Sequence, residues 1–556
     1  MKNKKAFIST MALAVLMTAC SSNTGDTSKD AGGTASADTS AKVDQFKMPN
    51  PIEITTFKSL SPGAKLPAGD TVESNQYMKY VSQKTNINFK ILWYAAPQDY
   101  DQKMNLAIAS NDLPDMMLVN EQTFLSLAAS GQIEDMSKVY EKYASPLTKE
   151  LYASTSNKAL DKATYKGKLM GIPNISVQAD AASMVWLRKD WLDKLGLQPP
   201  KSIDDVTAIA KAFVEKDPDG DGKADTIGIA GYENALAVNG KAQRGDFKGI
   251  FQAFGAYPSG GVQGVSNWIK DSSGNVMYAS LTPETKQALG KIREMYAAGV
   301  IDKEFVLKKD PNENIVSGKA GMFFGPWWSG GLVADAMKIN PKADFVPYLI
   351  PDAKGIVNTM MVPVSTQFIV VKKGIKNPEA AMVYANTFIA AQRKVDPDAL
   401  KLDFSVSAEY WPIGNATYDY ADAVERKSDT LQKAMSGAIK SDDLNPEMKE
   451  LFAKQTRDKA NPKADLKDWS GYFGYTLPAD LLKQNMNKVY SEFTANTKTM
   501  ERKWANLQKL EKETFFGIVV GEKPLDAFDK FVSDWKAQGG DEITKEVADE
   551  LSKAKK

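Results

Sequence analysis

Apolar and polar positions switch between two periods along this chain. IEITTF (52–57) and INFKILWY (87–94) carry the β-branched and aromatic content of strands, and DLPDMMLVN (112–120) ends in a third. Between them, NQYMKYVSQKT (75–85) places Tyr77, Tyr80 and Val81 on one side of a helix, and DYDQKMNLAIAS (99–110) predicts another. The pattern recurs in SIDDVTAIAKAFVEK (202–216), with Ser202 as cap and Val206, Ile209, Ala210 and Phe213 at helical spacing. It recurs again in LTPETKQALGKIREMYAAG (281–299), with Thr282 as cap, Pro283 at the first helical position and Leu289, Ile292 and Tyr296 on its apolar face. NPEAAMVYANTFIA (377–390) begins the same way. Strands alternating with helices of this length predict βαβ units and mainly parallel sheets. The more polar remainder predicts long surface helices, including 481–519. No internal repeat is present. A chain of 556 residues exceeds one comfortable core, so two or more domains are expected.

The N-terminus breaks this pattern. MKNKKAFISTMALAVLMTAC has a basic start, an apolar run from Ala6 to Met17 and small residues before Cys20. The run is too short to span a bilayer and has the order of a secretory leader, residues 1–19. Cys20 is the single cysteine, so no internal disulfide forms. Its position resembles a bacterial lipoprotein site, where cleavage precedes the cysteine and lipid is attached to it. Met17 stands where that motif prefers leucine, and a plain leader with an incidental cysteine is the alternative. Residues 21–42 are rich in Ser, Thr, Gly and Asp and bury too little to fold, so 20–48 is expected to be a flexible tether on the outer face of a membrane.

Charge narrows the classes. Seventy Lys and Arg against 69 Asp and Glu leave +1, which offers no footprint for nucleic acid. The absence of histidine excludes His-based triads, general bases and metal ligands.

KDPDGDGKADTIGIAG (216–231) sets carboxylates at alternating positions with Gly222 at the sharp turn. This opens like a calcium loop, but Gly228 stands where an EF-hand places a bidentate glutamate, and TIGIAGY is unsuited to starting a second helix. The loop therefore suits a structural Ca2+ clip better than a sensor, with oxygens from Asp217, Asp219, Asp221, the Lys223 carbonyl and Asp225. A solvated acidic turn is the alternative.

SGKAGMFFGPWW (317–328), DFVPYLIPDAKG (344–355), VSTQFIVVKKGIKNPEAAMVYANTFIA (364–390) and ADAASMVWLRKDWLDKLGL (179–197) follow one another in an order that resembles the family 1 extracellular solute-binding proteins. The DPDGDGKAD loop (217–225) is similar to that of its large calcium-loop members, such as the alginate-binding proteins; Thr226 stands where those members often carry an acidic residue. The resemblance covers about 50–415. It implies an α/β, two-lobe periplasmic-binding-protein-like (type II) fold. Each lobe would be a mainly parallel sheet flanked by helices, with a helical C-terminal extension. The expected lobes are 49–172 with 354–395, and 173–353 with 396–556.

The resemblance further implies a lipid-anchored monomer that clamps an oligosaccharide by hinge closure and hands it to ABC-transporter permease subunits, without catalysis. A sugar site needs flat rings for C–H faces and planar polar groups for hydroxyls. Trp327, Trp328 and Trp411 sit beside glycine or proline in turns; Tyr257, Trp268 and Trp186 are further candidates. Lys58 and Ser59, and Asn120 and Glu121, follow predicted strands, where parallel sheets bind ligands. The alternatives are a surface-anchored glycoside hydrolase or lyase, and a binding protein for another solute such as a peptide.

Overall fold

Side chains alternate between two hydrophobic layers along the long strands of the computed structural model, which describes residues 43–262, 265–414 and 416–554. The leader, Cys20 and the tether up to residue 42 lie outside the described residues. The architecture rests on β1 (Ile52–Ser59), β2 (Ile87–Ala95), β3 (Met116–Asn120), β4 (Ile172–Pro173), β5 (Met184–Arg188), β6 (Ile227–Ala230), β7 (Ala320–Gly325), β8 (Phe345–Tyr348), β9 (Val357–Met360), β10 (Gln367–Val371) and β11 (Met486–Val489).

The first sheet has the order β2-β1-β3-β10-β4. Only β10 runs against the rest. Met116, Ile369 and Val371 face a layer containing Tyr77, Val81 and the helix Ala380–Gln392. Met117, Phe368 and Val370 face the opposite layer with Phe57 and Phe124. The alternation is the two-residue period of a strand buried on both faces.

The second sheet has the order β8-β5-β7-β6, with β5 the strand that runs against the others. Val185, Leu187, Met322 and Phe324 meet the helices Ile203–Glu215, Pro283–Ala297 and Lys498–Val520. Met184, Trp186 and Phe323 meet Gly330–Ile339, Pro446–Ala460 and Leu466–Phe473. Ser202 caps its helix as the spacing predicts, its Oγ accepting from the Asp205 N–H at 3.1 Å, and Val206, Ile209, Ala210 and Phe213 are buried.

Three segments cross between the sheets side by side. The Ile175 N–H donates to the Thr417 carbonyl at 3.0 Å, Ser176 N–H to Val364 at 3.0 Å and Gln178 N–H to Ala421 at 2.9 Å. Asn174 Oδ1 accepts from the backbone of Thr366 and Gln367, each at 2.9 Å, and from Ser365 Oγ at 3.0 Å. Two expected boundaries move accordingly. Residues 399–414 and 416–418 pack in the first core, because Trp411 and Tyr418 fill the space against Phe388, and the chain crosses at 417–421. At the other boundary, β9 pairs with β11 beside the second core, so the crossing begins after Met360 rather than before residue 354.

The long surface helix expected over 481–519 is also interrupted. Met486–Val489 pairs with β9 instead, and the helix Lys498–Val520 starts afresh at Thr497, whose Oγ1 accepts from the Met500 N–H. That helix is half buried, through Leu507, Glu511, Phe515 and Ile518. Among the described residues no helix is long and apolar enough to cross a membrane.

Candidate ligand-binding cleft

The C-terminal ends of β1 and β3 open into a cavity of about 280 Å³ in the first lobe. Ser59 and Asn120 reach it from those strand ends, as expected from parallel-sheet geometry. Tyr100 and Asp101 from the helix Pro97–Ser110, Gln367 from the start of β10, and Glu409 with Ile413 and Gly414 complete the wall. Asn120 caps the helix Glu121–Ser130, its Oδ1 accepting from the Thr123 N–H at 2.9 Å, which turns the amide nitrogen to donation. Glu409 is held by Ser61, whose N–H and Oγ donate to its two oxygens at 2.8 and 2.7 Å.

Lys58 does not enter this cavity. The side-chain period sends it to the other side of β1, where it is buried and its Nζ donates to the Trp411 carbonyl at 2.5 Å. Burial lowers its pKa to about 7, opposed by the charges of Glu409 and Glu73. It braces the 409–414 wall from behind. Glu121 is likewise engaged. Its carboxylate accepts from Lys162 Nζ at 2.8 and 3.0 Å and from the hydroxyl of Thr494, a residue of the strap between β11 and the helix Lys498–Val520. Beside it, Asn496 Nδ2 donates to Gln122 Oε1 at 3.1 Å.

The second lobe presents two indoles. Both Trp327 and Trp328 are half-buried at the end of β7. Trp327 Nε1 donates to Asp180 Oδ1 at 3.0 Å, two residues beyond the crossing, and its ring leans on Tyr475. Gly474 lies so close that a Cβ there would meet the Trp327 ring at 2.8 Å. The Arg244 guanidinium lies over the Trp328 ring, 4.7 Å from its centroid.

The other expected rings are core residues. Trp411 is 1% exposed and stacks on Tyr77 at 4.6 Å, with Phe388 edge-on at 4.7 Å. The turn around Pro412 directs the indole inward, and the Trp411 carbonyl is taken by Lys58 Nζ. Trp186, on β5, is fully buried, with its ring parallel to that of Phe323 on the neighbouring strand β7. Trp268 is fully buried against Tyr278 and Trp504. Tyr257 is 5% exposed, and burial raises its pKa. Each satisfies a hydrophobic layer, and for Trp411 the turn residues beside it carried no information about which way the ring faces. Gln367, Asp101 and Glu409 carried no local signal either, since folding alone brings them to the strand ends.

The acidic loop joins the helix Ile203–Glu215 to β6 rather than to a second helix. Asp217 holds a φ of 45° and accepts from the N–H groups of Gly220 and Gly222 at 3.1 and 3.0 Å. Oxygens of Asp217, Asp219 and Asp221 lie within 4.8 Å of one another. Burial, and then the hydrogen bond to Asp217, raise the Asp219 pKa. Asp225 instead pairs with Lys319 at 3.1 Å, and Lys223 Nζ with Asp221 at 2.9 Å. The Thr226 hydroxyl is buried and has no hydrogen-bond partner among the described residues.

Against known proteins, the family model described as bacterial extracellular solute-binding protein matches residues 76–396. The chain is 30% identical over 360 residues to the fructooligosaccharide ABC transporter substrate-binding protein FusA of Streptococcus pneumoniae, covering 62% of this chain and 61% of that one. It is 28% identical over 254 residues to the polygalacturonan/rhamnogalacturonan-binding protein YtcQ of Bacillus subtilis, 45% of this chain and 46% of that one. Both matches span less than two thirds of the relative's length. Lipoprotein LipO of Bacillus subtilis is 22% identical over 478 residues, 84% of this chain and 87% of that one. Among solved structures, FusA with kestose has a TM-score of 0.57 at 18% identity, over 91% of this chain and 99% of that one. The alginate-binding protein AlgQ2 without calcium has 0.56 at 17%, over 92% and 100%. At such identities these two speak for the two-lobe fold alone. With more than half its length matched, the chain belongs to the bacterial extracellular solute-binding protein family.

Proposed function

We propose that this protein captures an oligosaccharide between its lobes and delivers it to the permease of an ABC importer without altering it. The observation that carries this reading is the pairing of a polar cavity at the ends of β1 and β3 with two half-buried indoles beside the interlobe crossings. Amide and carboxylate groups match sugar hydroxyls, and indole faces match C–H faces. Relatives named for fructooligosaccharide and for galacturonan support a sugar ligand. The lobes in this reading are the halves built on the two sheets, and the crossing segments 174–178, 361–367 and 417–421 are the hinge. Cys20 carries the lipid that holds the protein outside the cell.

The 217–226 loop suits calcium, a hard cation that takes six to eight oxygens. Asp217, Asp219 and Asp221 would hold it, with the Lys223 carbonyl; Asp225 would join by leaving Lys319, and the orphaned Thr226 hydroxyl is a further oxygen. Bound there, the ion would neutralise the carboxylates and fix the join between helix and β6. The loop has no two-helix lever, so its role is structural.

The test is to add a panel of oligosaccharides to the protein and record melting temperature, tryptophan fluorescence and chromatograms of the sugars. A ligand that raises the melting temperature and is recovered intact supports the proposal. Recovery of cleaved sugar would support the hydrolase or lyase reading instead.

A further inference from the structure

Taking the sugar-binding reading as its base, the charge of the cleft points to which sugars. The first-lobe cavity is lined by two carboxylates, Asp101 and Glu409, and by neutral donors and acceptors such as Asn120 and Gln367. Among the described residues no lysine or arginine lines it. Lys58, next to Ser59 in the chain, is sealed behind the wall with its ammonium on the Trp411 carbonyl, and burial lowers its pKa. In the second lobe, two cations beside the indoles are tied down. Arg244 lies on Trp328, and Lys241 pairs with Asp180 at 3.1 Å.

We propose that the cleft selects neutral oligosaccharides and rejects uronic-acid chains. Vicinal hydroxyls donate two hydrogen bonds to one carboxylate, a charge-assisted pairing. A uronate brings one carboxylate per residue into a site that already holds two and supplies no ion partner, so like charges meet where solvent is displaced.

Isothermal titration of the protein distinguishes the possibilities. The probes are neutral tetrasaccharides of fructose, glucose, galactose and xylose, and tetramers of galacturonate, mannuronate and guluronate at equal ionic strength. The expected result is binding of at least one neutral tetramer, with every uronate at least about 100-fold weaker. Asp101→Asn and Glu409→Gln should each weaken the neutral ligand and narrow that gap; Asp101, exposed on its helix, can change without loss of the fold. A uronate that binds as tightly as the best neutral tetramer overturns the selectivity and leaves the sugar-binding reading standing. Binding of neither class overturns both.

Discussion

The Glu121 carboxylate accepts a hydrogen bond from the Thr494 hydroxyl, 373 residues further along the chain. Glu121 begins the helix that follows β3 in the first lobe, and Thr494 lies on the strap leaving β11 beside the second. Lys162 Nζ reaches both, at 2.8 Å from the carboxylate and 3.1 Å from the hydroxyl. Tyr490 on the same strap lies under Lys158. These contacts form a clasp between the lobes, next to the crossing segments, where the Tyr490 hydroxyl donates to Gln178 Oε1 at 3.3 Å.

Removing the clasp should shift the lobes toward separation. A charge-assisted hydrogen bond contributes about 1.5–3 kcal/mol, so Thr494→Val should weaken ligand affinity roughly 10-fold, since closure must then be driven by ligand alone. Small-angle scattering of the ligand-free variant should show a larger radius of gyration. Unchanged affinity and radius would mean that the clasp does not bias closure.

Lys58 should leave a signature in the pH dependence of stability. Its folded pKa, about 7, lies below its ordinary value of 10.5, so the unfolded chain holds the extra proton between those values. Stability from this residue therefore rises as pH increases from about 7 toward 10. Urea unfolding of Lys58→Met across pH 7–9.5 should show a shallower rise than the parent. Equal slopes would place the lysine in water rather than behind the wall.

Trp411 separates packing from binding. Its indole fills the first core, so Trp411→Ala should cost about 3–5 kcal/mol of stability. Trp411→Phe, which keeps an aromatic body against Tyr77 and Phe388, should lose less stability and bind ligand within about 3-fold of the parent. A large loss of affinity in a stable Phe variant would put the ring in the site.

The contrast between Trp411 and the helix Ile203–Glu215 shows what the sequence could reveal. That helix was legible because its cap, period and apolar face are all local, and Ser202, Val206 and Phe213 lie where the spacing requires. The acidic loop was legible for the same reason, its carboxylates alternating within one short stretch, 217–225. Trp411 was not, because whether a ring in a Gly- and Pro-flanked turn faces solvent or core depends on Tyr77 and Phe388, distant in sequence. The strand β11 was hidden by its non-local pairing with β9. The cleft was half legible: strand-end logic found Ser59 and Asn120, while Gln367 and Glu409 arrive from hundreds of residues away.

Calcium should stabilise the protein through the 217–226 loop. At 100 times the dissociation constant the gain is about 2.7 kcal/mol. Melting temperature should rise with millimolar calcium and fall back with EGTA, and Asp217→Asn should abolish the response. A melting temperature indifferent to both additions would leave the loop a solvated acidic turn.

The most direct test is the position of a bound sugar, measured by crystallography of the protein with the oligosaccharide that titration selects. The sugar hydroxyls should lie on Asn120 and Gln367, and a pyranose or furanose face on Trp327 or Trp328. A sugar bound outside the cleft, touching neither the strand ends nor the two indoles, would contradict that placement.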